Sequence, residues 1–299
     1  MNILMFSKLC PDYLHDVLYH GLRQLGHVVH DYPRKTNLHH PEPTSGLLEF
    51  NWDEQSIQYA DVLMICAQPA DYRDRESEYY EYLNFAIQST SPKKIIVVDG
   101  HDLSVSYPSI TRQFDKIFKR ELYQEQENTI QFPFAALPET LVHGIRKEYD
   151  VLFVGSYSGQ PFRVDVRDAL THFCNATNIK AVISLDPVSR DEYIDLVRKS
   201  RLVVSVRGFG WDCYRYWELP AMGAVMLTET IPINFKNDFI DGVDCFKFAT
   251  GDLNDMCNKI TEALKLSHGA LEKIGMSAWY KTQVYHTAQA RAKFLLENI

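Results

Sequence analysis

No stretch of this chain approaches the ~20 consecutive apolar residues that a membrane-spanning helix requires. The opening residues, MNILMFSKLCPDYL, place no basic segment ahead of their apolar run, and that run is too short for a secretory signal. A cytoplasmic protein without a membrane span is therefore expected. Basic residues are in deficit as well. The formal net charge is −8, which gives no general attraction to polyanions. The two basic clusters, KIFKREL at 116–122 and RKSR at 198–201, are short, and a solvated face is their default reading. A local basic groove would still suffice for nucleic acid, so that partner is disfavoured rather than excluded.

Metal-ligand and disulfide spacings are missing too. The six cysteines, Cys10, Cys66, Cys174, Cys213, Cys245 and Cys257, make no C-x-x-C pair. In mostly apolar surroundings they read as reduced, buried thiols. Cys213 lies among polar residues, yet no histidine is near it in sequence, so a catalytic thiol is not expected. His39 and His40 are adjacent in a proline-containing loop at 32–46, where exposure is the default reading, and no metal is expected. The chain has no solenoid-period repeat and no low-complexity tract.

What is present is alternation. Strand-like apolar runs occur at 1–6, 28–32, 61–66 and 94–98, with helical spacing at 12–25 and 79–88. A second series begins at 149–154. It continues with a helix at 161–175, a strand at 181–185, a helix at 190–200, and strands at 202–206 and 224–227. Segments 252–266, 270–282 and 286–297 read as closing helices. Short β-branched runs alternating with helical patterns indicate βαβ units and parallel sheets. With 299 residues and 45% hydrophobic content, the chain suits two α/β, Rossmann-like domains of roughly 150 residues each. The expected divisions are 1–147, 148–282 and a C-terminal helix at 283–299.

In open α/β sheets, ligands bind beyond the carboxyl ends of the strands. That rule selects FSKLCPD (6–12), DGHDLS (99–104), VGSYSGQPFR (154–163) and the long segment VVSVRGFGWDCYRYWELPAMGAVMLTE (203–229). In the third, Gly155 and Ser156 follow a strand, and Gly159 and Pro161 precede a helix. Such a loop can bring backbone close to an anion, with Arg163 adding charge, or it can be an ordinary βα connection. In the fourth, Arg207 leads into Gly208 and Gly210, which make the turn compliant. Asp212 is a candidate helix N-cap, and Tyr214 follows. Arg215 and Glu218, three residues apart, share one side of the helix. Cations and N–H donors suit a diphosphate, and a carboxylate suits the vicinal hydroxyls of a ribose. The neighbouring Trp211, Tyr214, Tyr216 and Trp217 are either core or base-stacking, and Pro220 either kinks the helix or delays its start.

These segments carry a resemblance. YDVLFVGSYSGQPFR, EYIDLVRKSRLVVSVRG, YRYWELPAMGAVMLTE and YHTAQARAKFLLE together resemble the CgeB-like, spore-maturation-type glycosyltransferases of the GT-B class. The most specific part is R-x-x-E-L-P-A-x-G-A, here Arg215, Glu218, Leu219, Pro220, Ala221, Gly223 and Ala224. The resemblance covers about 93–297 and includes FKRE at 118–121; the first ninety residues share only a general pattern.

The resemblance implies a GT-B-like fold, with two Rossmann-like domains facing each other across a cleft. It implies a nucleoside-diphosphate-sugar donor, a UDP-sugar first, and no tightly bound cofactor or metal. Glu218 would lie at the nucleotide ribose, and Arg207, Arg215 and the Gly155–Ser156 loop at the diphosphate. The acceptor side would be the N-terminal domain, with the last helix crossing back to it. Many retaining GT-B enzymes carry another glutamate eight residues before the ribose-binding one; here that position is Gly210, so retention or inversion stays open. An inverting enzyme needs a general base, for which Asp99, His101 and Asp102 are the candidates, although Asp99 equally suits a turn cap before Gly100. Lys119 and Arg120 are assigned to the donor phosphate, the acceptor or the surface without a choice between them. The acceptor is open among glycan, protein, small molecule and, for a phage-type enzyme, a modified DNA base. A non-catalytic nucleotide-sugar or small-ligand binding protein of the same fold is the rival reading.

Overall fold

The structure is a computed structural model that describes residues 1–7, 13–32, 59–66, 88, 92–102, 104, 114–137, 141, 146–157 and 160–299. Cys10, His39, His40, Gly159, the expected helix at 79–88 except Gln88, and most of the FSKLCPD loop lie outside the described residues. The chain divides into two compact units, Met1–Leu137 with Thr287–Ile299, and Pro138–His286.

The first unit holds a six-stranded sheet in the order β2-β1-β3-β4-β5-β6, parallel throughout. Its strands are β1 (Asn2–Ser7), β2 (Val28–Tyr32), β3 (Val62–Cys66), β4 (Lys94–Asp99), β5 (Lys116–Lys119) and β6 (Thr129–Gln131). The central strands read as near-continuous apolar runs because both faces of a parallel sheet are covered. Ile3, Leu4, Met5 and Phe6 are all buried, as are Leu63, Met64 and Ile65. Helix α1 (Tyr13–Gln24) follows β1.

Strand β5 was not expected. Its residues, KIFK, belong to the basic cluster for which a solvated face is the default reading, and the structure overturns that reading. Ile117, Phe118 and Lys119 are fully buried, and Arg120 and Glu121 are buried beside them. Two lysines at the ends of a four-residue strand mask its apolar pattern.

The second unit holds a five-stranded parallel sheet, β11-β10-β9-β7-β8. The strands are β7 (Tyr149–Val154), β8 (Ala181–Ser184), β9 (Ser200–Ser205), β10 (Met226–Glu229) and β11 (Phe246–Phe248). The helices between and after them are α2 (Pro161–Thr177), α3 (Arg190–Lys199), α4 (Tyr214–Ala221), α5 (Leu253–Lys265) and α6 (His268–Tyr285). Val166 and Leu170 of α2, Met256 and Ile260 of α5 and Leu271 of α6 pack on Val151, Phe153, Val204 and Leu227 to form its core. Ser189 caps α3 by accepting from Glu192 N at 3.2 Å; Asp191 and Glu192 fill the first turn and Arg198 and Lys199 the last, matching the helix dipole. The expected strand at 224–227 begins later, at Met226, because Gly223 leaves α4 at φ +72° and Ala224 N still donates back to Leu219 O at 3.0 Å.

The last helix, α7 (Ala288–Leu296), is capped by Thr287 and packs on α1. A Cβ on Gly21 of α1 would lie 2.1 Å from the Ala288 carbonyl oxygen, so glycine permits that approach. Ala288 N donates to Ala136 O at 2.9 Å, and Arg291 Nη2 donates to Phe134 O at 2.8 Å. Tyr13 Oη donates to Ala135 O at 3.0 Å. The 134–136 segment is thereby stitched to both helices.

Candidate functional site

The carboxyl ends of β7, β9 and β10 bring together three loops of the second unit. Arg163, in the first turn of α2, donates from Nε to Arg207 O at 3.1 Å and from Nη1 to Ser156 O at 3.0 Å. It therefore ties the loop after β7 to the loop after β9. Gly155 is buried and Ser156 half-buried at the end of β7. Gly208 serves close approach rather than turn flexibility. A Cβ there would meet Arg163 Nη2 at 3.2 Å and Cys213 Sγ at 3.3 Å, and its φ is not in the left-handed region.

Arg207 is held from two sides. Its backbone N donates to Glu229 Oε1 at 2.9 Å, and its guanidinium pairs with Glu229 Oε2. The guanidinium carbon lies 3.9 Å from the Phe162 ring centroid and 4.5 Å from that of Trp211, within cation–π range. Glu229, at the end of β10, is buried. Burial pushes its carboxyl above the usual range, against the opposing pull of the Arg207 hydrogen bonds. Glu229 was not found from the sequence, because its pairing with Arg207 spans 22 residues and joins the ends of two strands.

Asp212 is not the N-cap of α4. That place belongs to Cys213, and the Asp212 carboxylate, fully buried, accepts from Trp217 Nε1 at 2.6 Å. The indole N–H must find an acceptor once its ring is buried, and Asp212 supplies it. Tyr216 and Trp217 pack with Phe235, Phe239 and His286, so they are core. Tyr214 opens α4 half-buried, and Pro220 lies in its last turn, where it neither delays the start nor prevents the helix.

Glu218 is the focus of the site. It is 0% exposed on the middle of α4, and a buried carboxylate demands a counter-charge. Arg190, at the start of α3, supplies it through Nη1 to Glu218 Oε1 at 2.8 Å. Arg190 was not found from the sequence, because the bridge spans 28 residues and joins two helices. One helical turn after Arg190, Tyr193 lies with its ring centroid 5.9 Å from the Arg190 guanidinium carbon and 5.2 Å from that of Arg215. Arg215 is half-buried, and no acceptor among the described residues reaches its buried Nε. Chemically, the arrangement offers a fixed carboxylate and an uncommitted cation to a polyol and an anion. Among the described residues, no group of three or more His, Cys, Asp or Glu side chains is placed to hold a metal ion.

In the first unit the structure places Asp99, His101 and Asp102 at the carboxyl end of β4. Asp99 is fully buried and accepts from Lys119 Nζ at 2.5 Å and from His101 N at 2.9 Å. Asp102 pairs with Arg120, whose Nε also donates to Gly100 O at 2.9 Å and whose guanidinium lies 4.4 Å from the Phe134 ring centroid. Lys119 and Arg120 are thus buried partners of these two carboxylates. His101 is half-buried, and its Nδ1 has no hydrogen-bond partner among the described residues.

The chain resembles a glycosyltransferase structure from Rickettsia africae at 10% identity and a TM-score of 0.62, covering 99% of this chain and 97% of that one. It resembles Anabaena HepE at 10% identity and a TM-score of 0.55, covering 99% and 98%. It also resembles TarM at 11% identity and a TM-score of 0.58, covering 82% of this chain; it spans 56% of the length of TarM. No curated protein sequence matches it. The structural likenesses establish the GT-B fold, with two parallel-sheet α/β domains. The family match covers residues 138–297, more than half of the chain and the whole of the Glu218 site. The chain belongs to the Glycosyl transferase-like family.

Proposed function

We propose that this chain is a CgeB-type glycosyltransferase that moves a sugar from a nucleoside diphosphate, UDP first, to an acceptor hydroxyl. One observation carries the reading: a fully buried Glu218, held by Arg190, stands beside Arg215 at the carboxyl end of a parallel sheet. A carboxylate so fixed accepts hydrogen bonds from the vicinal hydroxyls of a ribose. Arg215, Arg207 and the backbone of Gly155, Ser156 and Gly208 are assigned to offset the charge that grows on the departing diphosphate. Cations aimed at developing charge in a partly dry site are an effective form of catalysis, and they fill the place a divalent metal would otherwise take. The nucleotide class is supported by two proteins of this fold, since HepE was crystallised with UDP and glucose and S. aureus TarM with UDP.

The second unit, Pro138–His286, is assigned the donor, and the first unit, Met1–Leu137 with Thr287–Ile299, the acceptor. Of the three candidate bases, Asp99 and Asp102 are committed to ion pairs. His101 therefore is the side chain assigned to take the acceptor proton. Those same ion pairs favour a second reading, a nucleotide-sugar binder without transfer.

Release of nucleoside diphosphate from a panel of UDP-, GDP-, ADP- and TDP-sugars separates the two. A transferase releases nucleoside diphosphate with one donor class, water taking the sugar where no acceptor is supplied. Glu218→Gln, which keeps the size of the side chain and removes its charge, should raise the donor KM by about 10- to 100-fold, the usual worth of a hydrogen bond to a charged group. A binder would retain the sugar nucleotide without release. An unchanged KM in Glu218→Gln would place the ribose elsewhere.

A further inference from the structure

Tyr193 has no part in the chemistry assigned to Glu218, Arg207 and Arg215. It lies in the second turn of α3 and is 6% exposed. Its hydroxyl is buried and has no hydrogen-bond partner among the described residues. Burying a hydroxyl without a partner costs free energy that phenylalanine would not incur. Nearby Tyr216, equally buried, donates its hydroxyl to Asp238, so this fold pairs its tyrosines where the hydroxyl is structural.

The surroundings indicate what the Tyr193 hydroxyl would meet. Arg190 and Arg215 flank its ring, and Arg190 also grips Glu218. Arg215 Nε is a second buried polar atom without a partner among the described residues, and it comes from a different helix. Burial holds the Tyr193 phenol protonated, well above its usual pKa, so it can donate a hydrogen bond. Two donors left open beside a carboxylate suit a ligand that carries anionic oxygens next to hydroxyls. A ribose 5′-phosphate has that sequence of groups.

We infer that Tyr193 is a further donor-binding residue, whose hydroxyl hydrogen-bonds the ribose-5′-phosphate portion of the nucleoside diphosphate together with Arg215. This rests on the nucleotide reading of the Glu218 site. It adds a contact from α3, so that the nucleotide is gripped by both helices rather than by α4 alone.

The test is a calorimetric titration of UDP, GDP, ADP and TDP into wild type and Tyr193→Phe, with the melting temperature of each free protein. With the nucleotide that binds wild type, the variant should show a Kd raised about 10- to 100-fold, the worth of one hydrogen bond to a charged phosphate. The free variant should melt at the same temperature or higher, because an unpaired buried hydroxyl has been removed. Equal affinity in the two proteins overturns the inference while leaving the Glu218 reading intact. A lower melting temperature of the free variant also overturns it, because the hydroxyl then has a structural partner. No binding of any nucleotide to wild type overturns both.

Discussion

Asp99 closes a strand and precedes a glycine, which makes it look equally fit for a base or a turn cap. In the structure it is neither a solvent-facing base nor a simple cap, because Lys119 from the neighbouring strand places its ammonium against the carboxylate in a fully buried pair. Removing one partner of such a pair leaves the other charge buried and uncompensated, at a cost of about 3–5 kcal/mol. Asp99→Asn should therefore lower the denaturant midpoint of the protein strongly. A loss of activity with unchanged stability would restore Asp99 as a base. Glu218, by contrast, was legible as a candidate site residue from its spacing to Arg215 and from the R-x-x-E-L-P-A-x-G-A segment. Arg190, Tyr193 and Glu229 were not, since each meets the site across a helix or strand boundary that no local pattern encodes.

Element by element, legibility followed burial. Strands such as β1, β3, β7 and β9 are continuous apolar runs, and their parallel, doubly covered setting explains why. Strands β5, β6 and β11 have three or four residues and carry Lys or Gln, so their pattern is lost in the noise of the surrounding loops. Helix α4 shows a subtler limit. Its aromatic residues read as either core or base-stacking, and the side chains of Phe235, Phe239 and His286, distant in sequence, place Tyr216 and Trp217 in the core. Beyond its end, Gly223 and Gly275 of α6 touch so closely that a Cβ on Gly275 would lie 2.3 Å from the Gly223 carbonyl oxygen. Overpacking of this kind costs about 1–3 kcal/mol or more. Gly275→Ala should lower the melting temperature and weaken nucleotide binding together, by pushing α6 off the end of α4. A variant as stable as wild type would show that the two helices separate at no cost.

At the scale of the whole molecule, alternating runs of helix and strand were enough to indicate two Rossmann-like domains, because a parallel sheet leaves a period that survives in sequence. The basic cluster at 116–122 misled for a physical reason: its Lys119, Arg120 and Glu121 are charges neutralised inside the first unit, which composition alone cannot distinguish from charges in water. The chain also returns to its first unit through α7, where Gly21 admits the backbone of Ala288. The proposed role of the second unit is that its Glu218 site holds a nucleoside diphosphate. The most direct measurement is calorimetric titration of UDP, with GDP, ADP and TDP alongside, into the full chain and into Glu218→Gln. The account predicts saturable binding of one of them at one site per chain, lost or weakened at least tenfold in the variant. Absence of binding by all four to well-folded wild type, or equal binding by the variant, would contradict it.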